Sequence, residues 1–253
     1  MNYFRRKYLN FRTKCFDCLN LLNAQFACRQ ILVLGDSHAA IFRHAYWVFA
    51  LKGTALKVVS VGGATASGVD NPNSTTQARG RFEDALLRQD FDAVLVSLGE
   101  VDTGFVIWYR AQTRGISIKE SLEQTIQTYC EFLFELKKSN QIAVVSTPLP
   151  TIVDDHIKSS GDVANLRKKV VASQFDRTEL TLRFNHAVKL FCLNEQITYM
   201  DFDRESLGSD GLVREALLNK DSGDHHYDDW AYLRMLRPQV SKWIIGIRAS
   251  GRA

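Results

Sequence analysis

Ile31-Leu32-Val33-Leu34-Gly35-Asp36-Ser37-His38-Ala39-Ala40 is the stretch from which the fold is read. Four apolar residues, two of them β-branched, stop at a glycine, and a pattern rich in alanine and aromatics follows from Ala39 to Leu51. That sequence of signals predicts strand, tight turn, helix. Ser37 falls on the turn, where a hydroxyl is exposed. A serine hydroxyl is a weak nucleophile at neutral pH and needs an imidazole within hydrogen-bond reach to act as one. Asp36 and Ser37 are equally good helix-capping residues, so the turn alone does not distinguish a cap from a nucleophile.

The same alternation recurs outward from this turn. Val58–Val61 ends in Gly62-Gly63, Ala93–Leu98 ends in Gly99-Glu100, Ile142–Val145 is closed by Thr147-Pro148, and Ile197–Met200 is a fifth short apolar run. Helical patterns separate them, around Phe82–Leu87, on the Leu122, Ile126, Tyr129, Leu133, Leu136 face, over Thr178–Leu193 and over Trp230–Ile245. The stretch Leu149–Ser173 is polar and irregular and reads as a surface excursion over the site. Strands alternating with helices predict an α/β fold, a single domain whose five-stranded parallel sheet has helices on both faces. Right-handed crossovers then bring the strand C-terminal ends, with their glycine turns, to one edge, where ligands bind in such sheets. Residues 1–29 read as an N-terminal extension and 30–253 as the domain.

Composition narrows the function classes. The 32 basic and 28 acidic residues leave a net charge of +4, with part of the excess in Arg5, Arg6, Lys7, Arg12, Lys14 and Arg29. A nucleic-acid binder would show a stronger basic stripe. No apolar run approaches the length of a spanning helix, and the N-terminus lacks a signal-peptide layout, so a cytoplasmic location is expected. Five cysteines, an odd count, fit reduced thiols. Cys15 and Cys18 form a CxxC, but no second pair follows at zinc spacing.

These turns, in this order, resemble the blocks of the SGNH/GDSL hydrolase family. Leu34-Gly35-Asp36-Ser37 is similar to its first block, which implies that Ser37 is the nucleophile. Val61-Gly62-Gly63-Ala64-Thr65 is similar to its second, which implies that the backbone N–H groups of Gly63 and Ser37 bind the oxyanion. The third block departs from the pattern: the family has Gly-x-Asn-Asp, and this chain has Gly99-Glu100-Val101-Asp102. A Gly-Glu-x-Asp form, together with the Gly63–Gly68 stretch, resembles a bacterial subgroup associated with surface-glycan biosynthesis. Phe184-Asn185 and Arg177 also resemble that subgroup, without a role in the block chemistry.

Aligning His226-Tyr227-Asp228-Asp229-Trp230-Ala231 on the family's last block implies that His226 is the general base. Gly223 then occupies the usual acid position, so the carboxylate must come from Asp224 or Asp221, and a shift of one residue would make His225 the base. His38, Glu100, Asp102 and His225 are expected to line the substrate site. Two adjacent histidines beside acidic residues also invite a metal reading, but neither HExxH nor His-x-His occurs, and no metal or cofactor is expected. The resemblance implies a serine esterase acting on a small-molecule or glycan ester, with an O-acyl carbohydrate as the expected substrate. An acyltransferase would use the same residues. The missing asparagine and displaced acid leave open a non-catalytic module that binds a glycan or an assembly partner.

Overall fold

The computed structural model describes residues 14, 18, 27–44, 46–51, 53–153, 172–221 and 223–247. Five strands, β1 (Arg29–Gly35), β2 (Thr54–Ser60), β3 (Ala93–Ser97), β4 (Ile142–Val145) and β5 (Thr198–Met200), form one parallel sheet in the order β2-β1-β3-β4-β5. This is the predicted α/β fold. β1 lies between β2 and β3, so the chain order reverses at its C-terminal end, where a doubly wound sheet opens a crevice.

The central strands β1, β3 and β4 are buried on both sides, and their period of two sorts the core into two layers. Ile31, Val33, Leu95, Ala143 and Val145 face one layer with Leu233, Leu236 and Val240. Leu32, Leu34, Val94, Val96 and Val144 face the other with Phe82, Tyr129, Leu133 and Phe184. The second layer is supplied by α2 (Ala78–Leu87), α4 (Ile118–Ser139) and α5 (Gln174–Asn194), the first largely by α7 (Asp229–Gly246), which follows the one-turn α6 (Asp203–Ser206). Each fully buried Leu, Ile or Phe of these layers contributes about 1.5–3 kcal/mol relative to exposure.

Several boundaries differ from the sequence expectation for local reasons. The helix expected over 39–51 is instead a 3-10 helix, Ser37–Arg43, followed by a short α1, Tyr46–Ala50. The break falls at His44, whose backbone is extended and whose Nδ1 accepts the Tyr46 N–H at 3.2 Å, offering that amide a partner outside a continuous helix. β2 begins four residues before Val58, because Thr54, Ala55 and Leu56 are buried beside β1 despite the polar interruption at Lys57. A turn of π-helix, Asp102–Val106, and α3 (Ile107–Arg114) follow β3 where no helix was expected. Arg29, placed in the extension, starts β1. Most of the excursion expected over Leu149–Ser173 lies outside the described residues.

Candidate active site

The turn after β1 is held against both neighbouring strands. Asp36 N–H donates to the Ser97 carbonyl of β3 (3.2 Å), Val61 N–H donates to the Gly35 carbonyl (2.9 Å), and Ser60 Oγ donates to the Asp36 carbonyl (2.8 Å). A Cβ at Gly35 would stand 2.2 Å from the Ser97 carbonyl oxygen and 2.6 Å from Ala39 Cβ, so only glycine allows this approach. Asp36 caps the 3-10 helix: its Oδ1 accepts the His38 backbone N–H at 2.8 Å and lies 3.3 Å from His38 Nδ1. Ser37, the first residue of that helix, is half-buried. Its hydroxyl makes no hydrogen bond with any described residue.

The loop before α7 repeats the local pattern. Asp224 Oδ1 accepts the His226 backbone N–H at 3.1 Å and pairs with His226 Nδ1 at 2.6 Å, while Asp224 Oδ2 accepts from Asn219 Nδ2 at 3.2 Å. Asp221 is directed elsewhere, its Oδ1 accepting the Gly223 N–H at 3.0 Å. Of the two carboxylates considered, Asp224 is therefore the one on the imidazole. The loop is anchored from the segment after β4: Thr151 Oγ1 donates to the His225 carbonyl (2.9 Å), and the buried Tyr227 hydroxyl accepts the Leu149 N–H (2.7 Å). Asp228 then caps α7 by accepting from Trp230 and Ala231.

These two Asp-x-His turns face each other. The His38 ring lies 4.6 Å from the His226 ring and 5.5 Å from the His225 ring, centroid to centroid, and His225 and His226 are 4.1 Å apart. His38 is only 3% exposed. Burial alone would lower its pKa, but the Asp36 hydrogen bond and charge, the nearby Glu100 carboxylate and the His225 carbonyl together raise it above the ordinary value. Glu100, also buried, brings Oε2 to 4.0 Å from His38 Nδ1. His38, His225 and Glu100, expected at the site from the sequence, thus lie together beside the turn that carries Ser37.

Asp102 behaves differently from the expectation that it meets substrate. It is fully buried and spends both oxygens on the loop after β2, accepting from Ala66 N (2.6 Å), Ser67 N (3.1 Å) and Ser67 Oγ (2.6 Å). Arg110 completes the arrangement by donating to Ser67 Oγ at 2.9 Å. Burial pushes the Asp102 pKa up to about 6, against the opposing pull of the Ser67 and Ala66 hydrogen bonds and the Arg110 charge. Asp102 is therefore a tether for the Gly63–Gly68 stretch. Gly63 itself adopts φ +74°, a left-handed conformation that favours glycine at this turn.

Sequence reasoning did not identify Asp36 as a partner of His38, nor Thr151 and Tyr227 as supports of the histidine loop. The first was legible as a repeated spacing, Asp36-Ser37-His38 and Asp224-His225-His226. The supports had no sequence signal. Asn185, noted only by resemblance, is buried and pairs with both backbone groups of Thr147, donating also to Asp203 at 2.6 Å. It fixes the start of the segment that holds the histidine loop.

No protein-family model and no curated protein matches the sequence. Solved structures do match it in fold. A GDSL-like lipase from Bacteroides thetaiotaomicron superposes with a TM-score of 0.55 at 12% identity, covering 91% of this chain and 97% of its own. A variant of an acetyl xylan esterase from Geobacillus stearothermophilus gives 0.52 at 16% identity, covering 90% of this chain and 98% of its own. At such identities the likeness establishes the fold. No described helix is long and apolar enough to cross a membrane.

Proposed function

We propose that the chain is a serine ester hydrolase with Ser37 as nucleophile, His226 as general base and acid, and Asp224 as the residue that orients His226. The observation that supports this most directly is the 2.6 Å pairing of Asp224 Oδ1 with His226 Nδ1, beside the turn that carries Ser37. With Nδ1–H held by a carboxylate, the lone pair sits on Nε2 and the imidazolium formed during turnover is stabilised. In the reaction, Ser37 Oγ attacks the ester carbonyl carbon as its proton passes to His226 Nε2. The carbonyl oxygen becomes an oxyanion, for which the Ser37 and Gly63 backbone N–H groups are the assigned donors. The C–O bond to the alcohol breaks as His226 returns the proton to the leaving oxygen. Water then attacks the acyl carbon as His226 takes its proton, and the acyl–Oγ bond breaks as His226 passes that proton back to Ser37 Oγ, releasing the acid.

The expected substrate is an O-acyl group on a carbohydrate, with cleavage in the cytoplasm. The names of the fold neighbours, a lipase and an acetyl xylan esterase, support the ester class. Acyl transfer to a sugar hydroxyl would run through the same intermediate, water being replaced by the sugar. The test is a panel of acyl esters and acetylated sugars against the wild type and Ser37→Ala, together with labelling by a fluorophosphonate, which bonds to an activated serine. Turnover and a single adduct, both lost in Ser37→Ala, are expected.

A second reading, a non-catalytic module that binds a glycan or an assembly partner, is favoured by two observations. The Ser37 hydroxyl is not hydrogen-bonded to His226, and Glu100 stands where an amide donor is expected. Catalytic hydrogen bonds often tighten only when substrate is bound, so the first does not oppose the enzyme. Acetylated-glycan binding without turnover or labelling would establish this second reading instead.

A further inference from the structure

We propose that His38, His225 and His226 form a binding site for a divalent transition metal of the zinc class, and that the bound metal silences hydrolysis by occupying the base. The second clause rests on the function proposed above. The first rests on geometry alone.

Each of the three histidines offers a ring nitrogen, and these nitrogens all lie within 4.8 Å of one another. They come from two turns far apart in the chain, which is why no short sequence pattern announces the cluster. A tetrahedral zinc with Zn–N distances of about 2.0–2.1 Å needs donors roughly 3.3 Å apart, so the nitrogens, now within 4.8 Å, must close by up to about 1.5 Å. His38 is buried and His226 is held by Asp224, so the half-buried His225 is the ring that has to move most. Three histidines leave the fourth tetrahedral position for water.

The independent observation is what stands behind the rings. Metal-binding histidines almost always donate their second ring N–H to a carboxylate or carbonyl, which fixes the tautomer and raises the basicity of the ligating nitrogen. Two of the three have a carboxylate at Nδ1: Asp36 at 3.3 Å for His38 and Asp224 at 2.6 Å for His226. Both carboxylates also hold the backbone N–H of their own histidine, so the two rings are positioned by the same device from opposite sides. Glu100, 4.0 Å from His38 Nδ1, adds negative charge to a cluster of neutral ligands. A hydrolase needs one such carboxylate-bound imidazole. The second, facing the first across 4.6 Å, is what a metal would use.

Metal coordination takes the Nε2 lone pair of His226, the same pair that removes the Ser37 proton. A filled site and a working base are therefore mutually exclusive states.

The experiment uses the chain without a polyhistidine tag, stripped with a chelator, and titrates it with Zn2+ by calorimetry and with Co2+ by visible absorption. The expected result is one metal per chain with tetrahedral Co2+ bands and no thiolate charge-transfer band. His225→Ala and His38→Ala should each weaken binding at least tenfold, and Asp36→Asn and Asp224→Asn by about 10- to 100-fold. His225 is half-buried, so its variant keeps the test valid should loss of the buried His38 unfold the chain. Ser37→Ala should bind metal like the wild type, which separates this inference from the hydrolase reading, since that variant has no turnover to lose. Absence of saturable binding, a thiolate band, or affinity unchanged in His225→Ala would overturn the site. In the wild type, turnover should fall with the binding midpoint and return with chelator. Turnover that persists or rises with the site filled would overturn the silencing.

Discussion

Asp224 Oδ1 holds His226 twice, at the ring Nδ1 (2.6 Å) and at the backbone N–H (3.1 Å). One oxygen thereby sets the tautomer of the imidazole and the direction in which its other nitrogen points. Replacing Asp224 by Asn should lower kcat by about 10⁴-fold, the scale seen when an orienting carboxylate becomes an amide in a serine protease, and nearly as much as His226→Ala. Asp221→Asn should cost little, because its carboxylate serves the Gly223 N–H. Steady-state kinetics on folded variants checks this. Equal mild losses in Asp221→Asn, Asp224→Asn and His226→Ala would remove His226 as the base.

Ser37→Ala should abolish turnover without disturbing the fold. The hydroxyl has no described hydrogen-bond partner, and a side chain of this kind changes stability by within about 0.5 kcal/mol. Thermal melting and a substrate assay on the same preparation test both halves. A large drop in melting temperature would mean that the serine is structural.

Gly35→Ala should destabilise the chain by about 1–3 kcal/mol or more, since the new methyl group would stand 2.2 Å from the Ser97 carbonyl oxygen. Separation of β1 from β3 would also displace the adjoining Asp36-Ser37-His38 turn, so activity should fall with stability. Denaturant unfolding gives the change as a shifted midpoint at constant slope.

Asp102 predicts a pH dependence of stability. Its pKa is about 6 in the folded chain against an ordinary value of 3.8. Between those values the folded chain keeps a proton that the unfolded chain has released. The contribution of this group to stability is therefore fully present below the unfolded value and is lost as pH rises through about 6. Unfolding free energies of the wild type and Asp102→Asn, compared at pH 5 and pH 7.5, should show the wild type gaining on the variant at the lower pH. The opposite sign would mean that the buried carboxylate is stabilised in its charged form by more than its burial costs.

The fold was legible because its strands are short, apolar and separated by helical patterns, and β4 was located to the residue. The break at His44 was not, because a side chain capping Tyr46 N–H competes with helix propagation and leaves no mark in hydrophobic periodicity. At the site, Asp224 was among the carboxylates the sequence offered for His226, and the three-dimensional path of the loop singles it out. The role of Asp102 was misread, since the type of a residue near a glycine turn says nothing about whether its carboxylate faces solvent or a neighbouring loop. His38 and the histidine pair were expected at one site, but ring contact between them was not, because the packing of distant turns is invisible to spacing.

The two Asp-x-His turns also set an order of events at synthesis. Asp36, Ser37 and His38 follow the first strand, while Asp224, His225 and His226 follow the fifth, tied down by Thr151 and Tyr227. Chains emerge from the ribosome N-terminus first. A nascent chain displaying all five strands still has the serine turn but no imidazole loop opposite it. On the proposed mechanism, the serine therefore has no base until the last loop docks.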